Sequence, residues 1–311
     1  MAKILITESV HPIGPELLTA AGHTVVYADR DMDIIRREIV DADAVLVRII
    51  ELPGSLLATA KNLKIVSKHG VGYDNIDLDY CKSHGIAVTI TPNANSLYVA
   101  EHAFTLMLTL AKNIIPVSNE YRTVGFAAKN HAPGIEMTGK TLGLIGMGRI
   151  GKHILHMCRD GLDMHVIVYD PYISEVPEGV EKVDDLSELL RRADVVTLHC
   201  LLTDETRKLI DRERLALMKP TALLINCARG PIVDEAALIE ALENGRLAGA
   251  GLDVTDPEPV APDSPLFKLP NVIVTPHYAP TTVESATRVS KIAAENINAV
   301  LAGREPVGRI V

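Results

Sequence analysis

Arg229, Glu258 and His277 stand in the strings Leu224-Ile-Asn-Cys-Ala-Arg229-Gly, Asp256-Pro-Glu-Pro259 and Val274-Thr-Pro-His277-Tyr-Ala-Pro. Taken singly, each has an ordinary explanation: a histidine is more often structural than catalytic, and an arginine after a strand can bind a cofactor phosphate. Taken together, they fit hydride transfer to a 2-oxo acid. That reaction needs a planar, permanently charged fork that binds a carboxylate and polarises a ketone, which an arginine supplies. It also needs a proton donor for the developing alkoxide, and an imidazole titrates near neutrality. A carboxylate hydrogen-bonded to the imidazole fixes its orientation and favours its cationic form. The hydride itself belongs to a nicotinamide, and in the oxidative direction the histidine is the base.

A place for that nicotinamide is written in Lys140-Thr-Leu-Gly-Leu-Ile-Gly146-Met-Gly148-Arg-Ile-Gly151, where G-x-G-x-x-G lies between a strand pattern and a helix pattern. Gly146 permits the tight turn, Gly148 lets backbone approach a pyrophosphate, and Gly151 allows close helix–strand packing. The helix N-terminus then offers unpaired N–H groups and a positive dipole end. Glycines are common at such turns, so the next strand decides. His165-Val-Ile-Val-Tyr ends in Asp170, nineteen residues after Gly151. An acid there accepts hydrogen bonds from the adenine ribose hydroxyls and repels a 2′-phosphate, which favours NAD over NADP. The plainer alternative is a strand-end aspartate capping a turn.

The elements that must position these groups alternate β-branched runs with helical patterns, the signature of parallel α/β architecture. Strands are expected over Lys3–Thr7, His23–Tyr27, Ala44–Val47, Lys64–Lys68, Lys140–Gly146, His165–Tyr169, Val195–His199, Ala222–Cys227, Gly249–Val254 and Asn271–Thr275. Helical stretches include Leu97–Ala111, Ile150–Asp160, Glu235–Glu243 and a last one from about Val283 to near Gly303. That last pattern places Ala286, Val289, Ala293, Ile297 and Val300 on one face, so the chain is expected to return to its first domain. Asp256–Pro270 holds five prolines and reads as loop. An internal echo, His23–Asp29 and Ala42–Arg48 against His165–Asp170 and Ala193–His199, points to two doubly wound parallel sheets. The first opening turn, Glu8–Gly14, lacks the glycine fingerprint, so one dinucleotide domain and one different domain are expected.

With 311 residues the chain exceeds the usual size of one core. Apolar residues make up 47% and charged residues 23%, an ordinary globular balance. Thirty-one Lys and Arg against forty Asp and Glu leave a net charge of −9, which disfavours nucleic acid and anionic membranes. No run approaches the length of a membrane span, and the N-terminal apolar run is too brief for a signal peptide. Cys81, Cys158, Cys200 and Cys227 lack metal-site spacing, so no metal and a reducing, cytoplasmic setting are expected.

The chain resembles the D-isomer-specific 2-hydroxyacid dehydrogenases. The resemblance rests on Ser67-Lys-His-Gly-Val-Gly-Tyr-Asp-Asn-Ile-Asp77, the Gly146–Gly151 turn, Asn226-Cys-Ala-Arg-Gly230, Gly251-Leu-Asp-Val254 with Asp256-Pro-Glu-Pro259, and Thr275-Pro-His277, all in family order. Thr91-Pro-Asn-Ala-Asn-Ser96 and Asn226–Gly230 are most similar to the phosphoglycerate dehydrogenases. The sequence ends after the return helix, so the regulatory C-terminal domain of longer members is expected to be lacking. The resemblance implies a flavodoxin-like substrate domain over 1–96 plus 283–311 and a Rossmann NAD-binding domain over 97–282. It implies the same catalytic Arg229, Glu258 and His277, with Arg229 and His277 also touching cofactor and substrate. It places Val71 and Gly72 N–H groups on the substrate carboxylate and Arg149 and Ile150 against the pyrophosphate. It lines the cofactor site with Cys200, Leu201 and Thr206, brings Cys227 and Ala228 to the nicotinamide ribose, and brings Asp253 to the carboxamide. A homodimer is implied, because Leu97–Tyr121 resembles the arm through which relatives pair.

Three departures stand out: Tyr278-Ala-Pro follows His277 in place of a glycine-containing sequence, Pro231 replaces a common glycine, and Lys68 replaces a typical arginine. Lys68 and Arg48 are candidates for a distal phosphate or carboxylate, against the plain alternative of solvated surface cations. The expected activity is NAD-dependent interconversion of a small D-2-hydroxy acid and its 2-oxo acid, such as 3-phosphoglycerate, hydroxypyruvate or glyoxylate. The alternatives are a phosphite- or formate-type dehydrogenase of similar fold and an NAD-sensing, corepressor-like binding protein.

Overall fold

Short β-branched runs pair in parallel to build two separate sheets, seen in a computed structural model that describes residues 1–92 and 94–311. Asn93, within the Thr91–Ser96 motif, lies outside the described residues. The first sheet contains β1 (Lys3–Ile6), β2 (Thr24–Tyr27), β3 (Ala44–Val47), β4 (Ile65–Lys68) and β5 (Ala87–Thr89) in the order β2-β1-β3-β4-β5. The second contains β6 (Thr141–Ile145), β7 (His165–Tyr169), β8 (Val180–Lys182), β9 (Val195–Leu198), β10 (Leu223–Asn226), β11 (Gly249–Leu252) and β12 (Val272–Val274). Its order is β12-β11-β10-β9-β6-β7-β8. The five-stranded order is that of flavodoxin, and the seven-stranded one is the Rossmann order with an added edge strand. The echo in the sequence falls on equivalent places: β2 and β7 flank the first strand of their sheets on one side, β3 and β9 on the other.

The chain divides into two compact units, Met1–Asn95 with Pro280–Val311, and Ser96–Ala279. These limits differ slightly from 1–96 plus 283–311 and 97–282. Ser96 already opens the helix Ser96–Ala111 of the larger unit, and Thr282 caps the returning helix Val283–Leu301 by accepting from the Ser285 N–H at 3.0 Å. Two strands escaped the sequence reading. β5 is only three residues long, and β8 (Val-Glu-Lys) is a short, half-exposed edge strand whose charges hide its pattern. Several expected strands also stop a residue or two early, and the proline-rich loop holds one 3-10 turn, Pro265–Lys268.

Apolar side chains cover both faces of each sheet, as parallel strands require. In the smaller unit, Leu5, Val45, Val47 and Val66 pack to one side with Ile35, Ile39 and Leu57. Ile4, Ile6, Leu46 and Ile65 pack to the other side with Leu18, Ala293, Ala294 and Ile297, so the last helix is part of this core. Gly14 makes that packing possible, because a Cβ there would lie 2.9 Å from the Ser290 carbonyl oxygen. In the larger unit, one core lies around Leu198, Leu224, Leu238 and Leu252, the other around Ala103, Leu144, Val168 and Ile225.

At the end of β1, Glu8 is a buried carboxylate. It accepts the Arg48, Ile49 and Ile50 N–H groups at 2.8, 2.7 and 2.9 Å, together with the Thr7 hydroxyl. Burial alone would raise its pKa, but these donors outweigh burial and hold it below the ordinary glutamate value. A lowered folded pKa means the stabilisation is present above the unfolded value and is lost as pH falls through the folded one. Glu8→Gln should therefore cost about 2 kcal/mol at pH 7, measured by urea denaturation. The difference from the unaltered protein should shrink on acidification, and an unchanged midpoint at pH 7 would contradict this role.

Candidate active site

Parallel pairing puts every carboxyl end of the larger sheet on one edge, and β10, β11 and β12 are neighbours there. Arg229 follows β10. The Asn226 side chain shapes its turn, donating to the Arg229 carbonyl at 2.9 Å and accepting the Ala228 N–H at 3.0 Å. The guanidinium donates to the Ala228 carbonyl at 2.8 Å. Gly230 is required next, since a Cβ would sit 1.9 Å from the Thr255 carbonyl oxygen. The Arg229 turn therefore packs directly on the loop that carries Glu258. Glu235 steadies that loop by accepting the Asp256 N–H at 2.9 Å.

His277 follows β12. Its Nδ1 lies 2.7 Å from Glu258 Oε1, so the structure joins these two expected partners. A carboxylate can only accept, so Nδ1 is assigned the proton and Nε2 is left for a reacting atom. His277 has φ +52°, a left-handed backbone that non-glycine residues adopt only when their surroundings impose it. Asp253, at the end of β11, imposes it. Its carbonyl accepts the His277 N–H at 2.8 Å. Its buried carboxylate takes the Tyr278 N–H at 2.7 Å, the Ala279 N–H at 2.9 Å and the Thr275 hydroxyl at 2.5 Å. His102 Nε2 lies 3.4 Å from the same carboxylate and 3.0 Å from the Thr275 hydroxyl. Burial would raise the Asp253 pKa, but these hydrogen bonds outweigh it and hold the group below its ordinary value.

On the same edge, beyond β9, lies the glycine turn after β6. Gly146 has φ +89°, and a Cβ there would lie 2.7 Å from the Cys200 nitrogen. Gly151 would place a Cβ 2.3 Å from the Gly146 carbonyl oxygen, which closes the turn onto the helix Arg149–Leu162. At Gly148 the Cβ direction is open space. No side chain caps this helix and its first turn holds no acid, while Arg149 and Lys152 stand at its positive end. Two cations there fit a bound anion and oppose the dipole without one. Asp170 pins the turn: its Oδ2 accepts the Met147 N–H at 2.8 Å and its Oδ1 the Tyr172 N–H at 3.0 Å. Each oxygen keeps a further lone pair for a ribose hydroxyl. The turn, the open Gly148 and these acceptors fit a dinucleotide.

The remaining cofactor candidates lie on the same strand ends. Cys227 and Ala228 are buried in the Arg229 turn, and Cys200 is partly buried after β9, where burial pushes its thiol up to about 11. Leu201 is 64% exposed. The Thr206 hydroxyl donates to the Leu201 carbonyl at 2.6 Å and so holds that loop.

The substrate candidates of the smaller unit lie at the ends of β3 and β4. Lys68 is buried, and its ammonium donates to the Arg48 carbonyl and to Asn75 Oδ1. Arg48 Nη1 donates to the Ser9 carbonyl at 3.0 Å. Both cations thus hold loops together. Val71 and Gly72 follow Gly70, whose carbonyl accepts the Thr91 N–H at 2.8 Å and its hydroxyl at 3.1 Å.

Sequence reasoning missed the loop-holding work of Asp253 and Glu8, and it missed His102 altogether. The available signal was an acid placed directly after an apolar strand, as at Asp170.

Residues 104–279 match the model of the D-isomer specific 2-hydroxyacid dehydrogenase, NAD binding domain. Over 307 residues, 97% of this chain, the sequence is 42% identical to the D-3-phosphoglycerate dehydrogenase of Methanocaldococcus jannaschii, of which it spans 58%. It is 38% identical to the glyoxylate reductase of Thermofilum pendens, covering 98% of this chain and 93% of that one. The chain spans just over half the length of the phosphoglycerate dehydrogenase and nearly all of the glyoxylate reductase. Among solved structures, the D-lactate dehydrogenase of Aquifex aeolicus, complexed with NAD and lactic acid, superposes with a TM-score of 0.88 at 32% identity over 96% of each chain. The chain belongs to the D-isomer specific 2-hydroxyacid dehydrogenase family, and its larger unit carries that family's NAD-binding domain.

Proposed function

We propose that the protein interconverts a small D-2-hydroxy acid and its 2-oxo acid, with NAD as the hydride carrier. The observation that carries this reading is the 2.7 Å contact between His277 Nδ1 and Glu258, on strand ends adjacent to the Arg229 turn. Bound NAD supplies or takes the hydride. Arg229 binds the substrate carboxylate and polarises the ketone. His277, cationic and oriented by Glu258, gives its Nε2 proton to the forming alkoxide and takes it back in the oxidative direction. Val71 and Gly72 offer their N–H groups to the carboxylate.

On the cofactor side, Gly146, Gly148, Gly151, Arg149 and Ile150 take the pyrophosphate on the helix N-terminus, and Asp170 takes the adenine ribose. Cys200, exposed Leu201 and Thr206 line that end. Cys227, Ala228 and the lone pair left on Asp253 serve the nicotinamide end.

We infer further that the protein is a homodimer. The helix Ile114–Val124 has no buried residue, and Ile114, Ile115, Tyr121, Val124 and Phe126 are all exposed. Such an apolar face calls for a partner. A cytoplasmic setting fits the four free cysteines, of which buried Cys81 and Cys158 are pushed up to about 11 and about 12. Among the described residues, no helix is long and apolar enough to cross a membrane.

His277→Ala should lower kcat by at least about a hundredfold with glyoxylate or hydroxypyruvate and NADH, while NADH still binds by fluorescence titration. A variant turning over at the normal rate would remove the assignment. Asp170→Ala should raise the Kd for NAD and narrow the preference over NADP; an unchanged ratio would leave Asp170 a turn anchor alone. Phe126→Asp should shift the protein toward monomer in sedimentation velocity, and a dimer of unaltered stability would place the interface elsewhere.

A further inference from the structure

His102, Leu106 and Leu110 stand four positions apart on the helix Ser96–Ala111 and so share one face. Gly249, Gly251 and Asp253, two positions apart along β11 and just past its end, likewise share one face of the sheet. Four residues of helix advance about 6 Å and two of strand about 6.6 Å, so the two rows run in step. The glycines let them meet. A Cβ on Gly251 would lie 3.0 Å from the Leu106 Cβ, and one on Gly249 would lie 3.5 Å from the Leu110 Cδ2. The next step of both rows brings His102 to Asp253, with its Nε2 3.4 Å from Oδ1 and 3.0 Å from the Thr275 hydroxyl.

The proton on this nitrogen follows from the geometry. Thr275 Oγ1 lies 2.5 Å from Asp253 Oδ1, and a carboxylate only accepts, so the hydroxyl proton goes to Asp253. The hydroxyl oxygen then meets His102 as an acceptor, and the carboxylate beside it is an acceptor too. Nε2 therefore carries a proton and points it at both. Tyr278 lies against the same ring, with centroids 6.2 Å apart and planes at 62°, and the His102 side chain is 16% exposed. Burial works against the Asp253 charge; among the donors that outweigh burial, His102 contributes most, ahead of Thr275 and the Ala279 and Tyr278 N–H groups. Those other donors all lie in the loop that carries His277. His102 comes from a helix outside it and ties the loop to the body of the larger unit.

We propose that His102 is a positioning residue for His277: its Nε2–H clamps Thr275 and Asp253 together, which fixes the left-handed turn and the direction of the catalytic imidazole. Without that proton, Thr275 and Asp253 keep their own hydrogen bond but lose their tie to the helix. The loop is then free to turn His277 off line. The lone pair left on Asp253 Oδ2 for the nicotinamide end is not disturbed, so the cost falls on kcat and not on cofactor binding. The inference rests on the assignment of His277 as proton donor in the 2-oxo acid reading above.

The test measures kcat with glyoxylate and NADH, and the Kd for NADH by fluorescence titration. His102→Leu keeps an apolar, helix-forming side chain without a donor, and should lower kcat about tenfold with the Kd for NADH within about twofold. His102→Gln, whose amide N–H stands as many bonds from the backbone as Nε2, should recover kcat to within about threefold. His102→Leu added to His277→Ala should cost no more than about twofold further, because the group it positions is already gone. An unchanged kcat in His102→Leu, a glutamine variant no better than leucine, or a loss of the same size on top of His277→Ala would each overturn the proposal. So would a raised Kd for NADH at normal kcat, which would assign His102 to the cofactor end through Asp253. If the unaltered protein reduces no 2-oxo acid, the broader reading fails and takes this one with it; the other outcomes leave that reading standing.

Discussion

Parallel strand pairing is the constraint on which the rest depends. It sends all seven strands of the larger sheet to one edge, so loops distant in sequence become neighbours there. Backbone can then be brought closer than side chains permit, and glycine marks those places. Gly230 lays the Arg229 turn on the Glu258 loop, Gly146 lays the cofactor turn on the end of β9, and Gly151 closes that turn onto its helix. None of the three touches a reacting atom in the proposed mechanism. Each sets the distance between groups that do.

A second device recurs at the strand ends: an acid whose carboxylate collects backbone N–H groups from the loop beside it. Glu8 does this after β1, Asp170 after β7 and Asp253 after β11. Glu8 and Asp253 are buried, and in both the donors more than offset desolvation, so the charge is kept. The result is rigidity where a loop would otherwise be free to move. At Asp253 that rigidity is strong enough to hold His277 in a left-handed backbone, and the histidine reaches Glu258 from there. Asp170 is half of each kind: it anchors the glycine turn and keeps lone pairs for a ligand.

Much of this was legible in the sequence because it rests on local chemistry. The glycine spacing, the acid nineteen residues on, and the alternation of strand and helix patterns each have a local physical cause, and the structure places them together. The Arg229, Glu258 and His277 set was legible as chemistry, and the meeting of Glu258 with His277 followed. What escaped was either too short for a pattern, as with β5 and β8, or decided by partners distant in the chain. His102 lies 151 positions before Asp253 and carries no local mark of its role.

Lys68 shows where reading by residue type stops. As a lysine at the end of an apolar strand, it reads as a cation waiting for an anion. The fold buries it at the end of β4, where the nearest acceptors are the Arg48 carbonyl and the Asn75 amide. Charge type was legible, but burial was not, and burial decides whether a charge faces a ligand or the protein. The residue beside it, His69, carries no formal charge and would rank lower in any reading by sequence. Its Nε2 has no hydrogen-bond partner among the described residues, and burial above all, then the charges of Arg48 and Lys68, keeps the imidazole neutral.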